Sequence, residues 1–206
     1  MPRVQPTTPD GLADAVVERV LAHPGRTRVL LDGPPPTGPE ELAARVAERL
    51  RVAGRAALVV SAQDFLRPAS VRLERGRTDP DSFLDGWLDV GALCRELLRP
   101  AAPEGSGRVL PRLWNPATDR SYRADYEALP ASGVVLLAGA LLLGRGLPAD
   151  VSVHLHMGAT ALERRLPPDE HWTLAAHARY EAERHPDETA DVVALSDHPA
   201  RPALRA

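Results

Sequence analysis

The chain of 206 residues contains no lysine; all 25 of its Lys+Arg residues are arginine. That excludes every reaction needing a lysine as Schiff-base amine, as general base or as the ammonium that grips a phosphate. Isoleucine is also absent and asparagine occurs once, at Asn115, which points to a GC-rich coding bias. The one cysteine, Cys94, excludes an internal disulfide and suits a reducing compartment. It falls in a helical pattern with Leu93, Leu97 and Leu98, so it reads as core. The longest apolar stretch, "GVVLLAGALLLG", is far short of the ~20 residues of a membrane helix. The amphipathic start carries Asp14 and Glu18 and lacks the apolar heart of a signal peptide. A net charge of −3 and a pI near 6.2 give no electrostatic case for nucleic acid. A soluble, cytoplasmic protein without nucleic-acid or membrane partners is expected.

What is present is a regular alternation of helical and extended patterns. Leu12, Val16 and Val20 mark a first helix over about residues 9–22, with Thr8 before Pro9 as its cap. A strand at 28–32 follows, then a turn cluster and a helix to about Val52. "AALVVSAQDF", "GVVLLAGALLL", "ADVSVHLHM" and "ADVVALSD" read as further strands. "VGALCRELLRP", "GATALERRL" and "DEHWTLAAHARYEAER" read as helices. Residues 66–86 are polar and read as an exposed excursion. Apolar strands that do not alternate, separated by helices, predict a three-layer α/β fold with a mostly parallel sheet, within one domain over residues 1–206.

The stretch "VLLDGPPPTGPEELAARVAERL" is a strand, a glycine-bounded loop and a helix. Gly33 and Gly38 have the spacing of G-x-x-x-x-G-K-[ST], the loop that cradles phosphate. The two residues after Gly38 are, however, Pro39 and Glu40. Such a loop works through backbone N–H groups aimed at an anion. Proline has none, and Pro34, Pro35, Pro36 and Pro39 all fall in this arc. Glu40 and Glu41 suit the helix dipole but repel phosphate, by about 4 kcal/mol per charge pair at 4 Å and an effective dielectric near 20.

These blocks, with "VVSAQDFLRP", "RGRTDPDSF", "RVLPRLWNPATDR" and "VVLLAGALLL" in the same order, resemble the uridine kinase family of phosphate-loop nucleoside kinases. The resemblance runs from about residue 9 to 202 and implies a P-loop NTPase-like fold. It places a phosphate-loop region at 29–50, a nucleoside-contacting excursion at about 64–125 and a shortened lid at about 158–172. It also implies ATP and Mg²⁺ as cofactors, although Pro39 and Glu40 stand where Lys and Ser or Thr belong. Ala138 replaces the acidic residue that usually precedes the next glycine.

By the same resemblance Asp64 is the base for a nucleoside hydroxyl; an Asp capping the following turn explains it equally. Trp114, Arg120 and Tyr122 fall in the nucleoside-contacting segment, and a structural loop is the other reading. Arg72 is carried as a substrate contact beside Arg75 and Arg77, with a solvated loop balanced by Asp79 and Asp81 as the alternative. Arg164 and Arg165 match the phosphate-contacting lid, or a solvated helix face. His154 and His156 share one strand face, and nothing adjacent in sequence completes a metal-ligand set, so they read as packed histidines and no metal is expected. Three functions remain open. The first is a degenerate uridine kinase-like protein, a pseudokinase binding a nucleoside-like molecule or a protein partner. The second is an active kinase using Asp64, and the third is a non-catalytic interaction domain.

Overall fold

In the computed structural model, residues 4–205 are described. Seven strands form one sheet: β1 (Val4–Pro6), β2 (Thr27–Asp32), β3 (Ala57–Ser61), β4 (Val134–Gly139), β5 (Val151–His156), β6 (Val192–Leu195) and β7 (Ala203–Arg205). Their spatial order is β1-β7-β6-β5-β2-β4-β3. The five strands from β6 to β3 are parallel, while β7 runs antiparallel to both β6 and β1. This edge pair is absent from the sequence reading, because three-residue strands carry almost no periodicity.

The parallel strands are apolar because helices cover both faces. All six residues of β4 are buried. On one face Val29, Leu31, Leu136 and Val153 meet Leu12, Val16 and Val20 of helix α1 (Pro9–Leu21) and Leu42, Val46 and Leu50 of helix α2 (Pro39–Val52). Thr8 caps α1 as expected, its hydroxyl accepting from the Gly11 N–H at 3.0 Å. On the other face Leu30, Val60, Val135 and Leu137 pack against Phe65, Leu84, Leu93, Leu97 and Tyr180. Cys94 is buried beside this core, and desolvation pushes its thiol pKa up, as an inert side chain requires.

Residues 66–86 are not the wholly exposed excursion the sequence implied. Arg72 and Leu84 are buried, and Phe83 is half-buried. The polar composition is misleading because the apolar side chains of this segment converge on one place, described next. Among the described residues, no helix is long and apolar enough to cross a membrane.

Candidate ligand site at the carboxyl end of the sheet

In open α/β sheets ligands sit beyond the carboxyl ends of the strands. There, β2 delivers Asp32 and then the loop. Gly33 is obligatory, since a Cβ would fall 2.8 Å from that of Leu155. Pro35–Thr37 form a turn of 3₁₀ helix, and Gly38 reverses the chain in the left-handed region, at φ 74° and ψ 52°. Three residues in the arc 33–39 keep an N–H, and each has a partner inside the protein. Gly33 donates to Gly139 O at 3.1 Å, Thr37 to Pro34 O at 2.9 Å and Gly38 to Pro35 O at 3.1 Å. Glu40 opens α2 with its carboxylate 3.4 Å from the Ser61 hydroxyl. The residues present therefore do not fit a magnesium triphosphate: the arc has no free donor, no lysine and no metal-binding hydroxyl after Gly38. Ala138 is fully buried in the layer between the sheet and α2.

Beside this loop opens a cavity of about 360 Å³, bounded by Gly33, Pro39 and Glu40 on one side. Its other walls are aromatic. Phe83 meets Trp87 edge-on at 5.1 Å and Trp172 at 5.3 Å, and the two tryptophans lie 5.6 Å apart. The chain has three tryptophans and two phenylalanines in all, so their concentration here marks the place where flat apolar surface meets solvent. Arg145 also lines it, its pKa lowered by burial. His177, buried against Phe83, has its pKa lowered by desolvation. Such a cavity suits a planar ring carrying a few polar edges.

The residues expected from sequence are distributed unevenly around it. Arg72 is buried, donates to Arg67 O at 2.7 Å and lies 5.0 Å over the Trp87 ring, so it supports the wall without lining the cavity. Ala62 and Gln63 line it, whereas Asp64 does not. Asp64 instead adjoins the 113–122 hairpin, its carbonyl accepting from Leu113 N at 2.9 Å. Its carboxylate pushes the Tyr122 phenol pKa up. Trp114 donates to Asp119 at 2.9 Å, Tyr122 lies beneath the Arg112 guanidinium and Arg120 is exposed; none of the three reaches the cavity. Arg164 and Arg165 are exposed and bond to the carbonyls of Thr160 and Asp197, while the segment just after them supplies Leu166, Glu170 and Trp172. Sequence reasoning missed Phe83, Trp87, Trp172, Arg145 and His177. The i,i+4 pair in "FLDGW" was the available signal.

Behind the loop lies a buried polar cluster. The register of β2 on β5 pairs Asp32 with His154, which puts both side chains on the same face. Asp32 is fully buried and accepts from Leu142 N–H at 2.8 Å, from Tyr180 OH at 2.9 Å and from His154 Nδ1 at 2.7 Å. The Leu174–Arg184 helix adds Glu181, 3.2 Å from His154 Nε2 and 3.7 Å from His156 Nδ1. Burial opposes charge on His154, but Asp32 and Glu181 outweigh it and lift its pKa to about 9. Glu181, whose burial alone would raise its pKa, is drawn down to about 2 by the two histidines. Tyr180 is pushed up by burial and by the Asp32 charge. The nearest carboxylate in sequence, Asp150, is taken by Arg28; the fold supplies Glu181 from 25 residues or more away.

No protein-family model and no curated protein sequence matches the chain. Its similarity is to solved structures. A possible uridine kinase from Bacillus stearothermophilus superposes with a TM-score of 0.72 at 20% identity, over 89% of this chain and 97% of the other. The fold is uridine kinase-like. A candidate fructose transport system kinase from Silicibacter sp. TM1040 aligns at 25% identity and a TM-score of 0.58, over 89% of this chain and 95% of that one. Within this chain the 33–39 arc is the connection from β2 to α2.

Proposed function

We propose that this uridine kinase-like protein is a pseudokinase that holds a nucleoside-like planar molecule in the aromatic cavity and does not handle ATP with Mg²⁺. One observation carries the reading: every N–H of the 33–39 arc is bonded within the protein, and the other four residues are prolines. The cavity beside it keeps the features that recognise a ring, with Phe83, Trp87 and Trp172 for stacking and Arg145 for a polar edge. A soluble, cytoplasmic setting accords with this role.

Calorimetric titration of uridine and of ATP·Mg²⁺, separately and at millimolar concentration, tests the reading. Uridine binding with no ATP heat is the expected result. Tight ATP binding would overturn it and favour an active kinase, in which case Asp64→Asn must abolish phosphoryl transfer. If neither ligand binds, the interaction-domain reading takes its place.

A further inference from the structure

We propose that His154, His156 and Glu181 form a three-ligand site for a zinc-class divalent transition-metal ion, with Asp32 fixing the orientation of His154. The two histidines are alternate residues of β5, so their rings stand on one face, 6.0 Å apart between centroids. Glu181 approaches from the Leu174–Arg184 helix above that face. One nitrogen from each ring and one Glu181 oxygen all lie within 4.8 Å of one another. A tetrahedral ion with bonds of about 2.0–2.2 Å needs its ligand atoms roughly 3.3 Å apart, so side-chain shifts of under about an ångström suffice.

Two further observations point to a ligand. His154 Nε2 and His156 Nδ1 are buried ring nitrogens that face Glu181 oxygens at 3.2 and 3.7 Å without hydrogen-bond geometry, and the His154 residue is 0% exposed. Orphaned polar atoms in an interior are costly and call for an occupant. His154 is also held as metal-binding histidines are held. With Nδ1 engaged by Asp32, Nε2 is the nitrogen that faces Glu181, and it offers a lone pair once a metal displaces its proton. Asp32 is itself immobilised by Leu142 N–H and Tyr180 OH.

Charge supports the same occupant. Asp32 and Glu181 both face the cluster, while the arginines of the same helix are engaged elsewhere. Arg179 pairs with Asp81, Asp85 and Glu183, and Arg184 lies against Asp85. A dication offsets both carboxylates at once. Two imidazoles and a carboxylate match zinc, and also bind cobalt and copper. The side chains of His156 and Glu181 keep 29% and 32% exposure, which gives the ion its route in and leaves a fourth position to water.

The test uses tag-free, chelator-stripped full-length protein at pH 8, titrated with Co²⁺ and then Zn²⁺, where binding must displace the proton that His154 otherwise carries. Expected are one equivalent of Co²⁺ with visible ligand-field absorption, its displacement by Zn²⁺ and a raised melting temperature in zinc. His156→Ala and Glu181→Gln, at partly exposed positions, should keep the circular dichroism spectrum and lose stoichiometric binding. Asp32→Asn should weaken affinity by roughly 10–100-fold. No Co²⁺ absorption in the wild type overturns the site and leaves a proton on His154 as the occupant of the cluster. Binding unchanged in both ligand variants overturns it equally. Neither readout depends on whether the cavity takes a nucleoside.

Discussion

The two ends of β2 treat polar groups in opposite ways. At its start Arg55 spends every guanidinium donor it has. Arg55 is buried and makes five hydrogen bonds, to the carbonyls of Ser132, Val20, His23 and Gly25 and to the Thr27 hydroxyl. That is the full capacity of a guanidinium. Next to it Arg28 grips Asp150 through its backbone N–H and two guanidinium nitrogens, at 2.7–2.9 Å. At the other end, six residues away at most, Asp32 leads into a cluster with two orphaned ring nitrogens and a cavity walled by half-buried aromatics. One end of the strand is finished; the other is left with unused capacity. The difference separates residues that hold the sheet from residues that can meet a ligand.

The contrast can be broken at either end. The largest effect is expected from Arg55→Ala, which takes a donor from four carbonyls, those of Ser132 and His23 keeping no other, and should cost about 3–4 kcal/mol of stability. Urea unfolding would measure it, with uridine affinity of the folded fraction unchanged. At the opposite end, Trp172→Ala should weaken ring binding by about 1–3 kcal/mol, the worth of one base–aromatic stack. Calorimetry reads that loss, and the unfolding midpoint should move less than for Arg55→Ala.

A smaller effect concerns acid. Burial alone would raise the Asp150 pKa, but the hydrogen bonds from Arg28 outweigh it and hold it below the usual carboxylate value. The folded pKa is the lower one, so the pair's stabilisation is complete above the unfolded carboxylate pKa. It disappears as pH falls through the folded one. Melting temperature against pH should therefore decline on the acid side, and Arg28→Leu should flatten that decline. Smallest of all is Glu40→Gln. It should shift stability by no more than about 0.5 kcal/mol and restore no ATP binding, because the loop's N–H groups remain committed to Gly139, Pro34 and Pro35. ATP binding after this single change would mean that charge alone had silenced the loop.

Sequence legibility followed the same divide. The parallel strands, α1 and α2 were readable because burial imprints a period on them, and the loop because glycine and proline act locally. Asp32 with His154 and Glu181 was not readable. Their meeting depends on strand register and on the placement of a helix far along the chain, neither of which leaves a local mark. The cavity aromatics were hidden similarly, since Phe83 and Trp87 sit in a segment whose average composition is polar. Trp114, Arg120 and Tyr122 were singled out for their chemistry, but they form a separate hairpin alongside Asp64.

The strand order also sets a timetable for synthesis. β2 lies between β4 and β5, so its first partner leaves the ribosome about 100 residues after it, or roughly 5–20 s later at ~5–20 residues per second. Throughout that interval "RVLLD" and "ALVVS" are apolar segments without hydrogen-bonded neighbours, and α1 and α2 have no finished surface to settle on. Slower decoding of the 66–133 region would lengthen this exposure, and a holdase chaperone bound to the nascent chain would shield it.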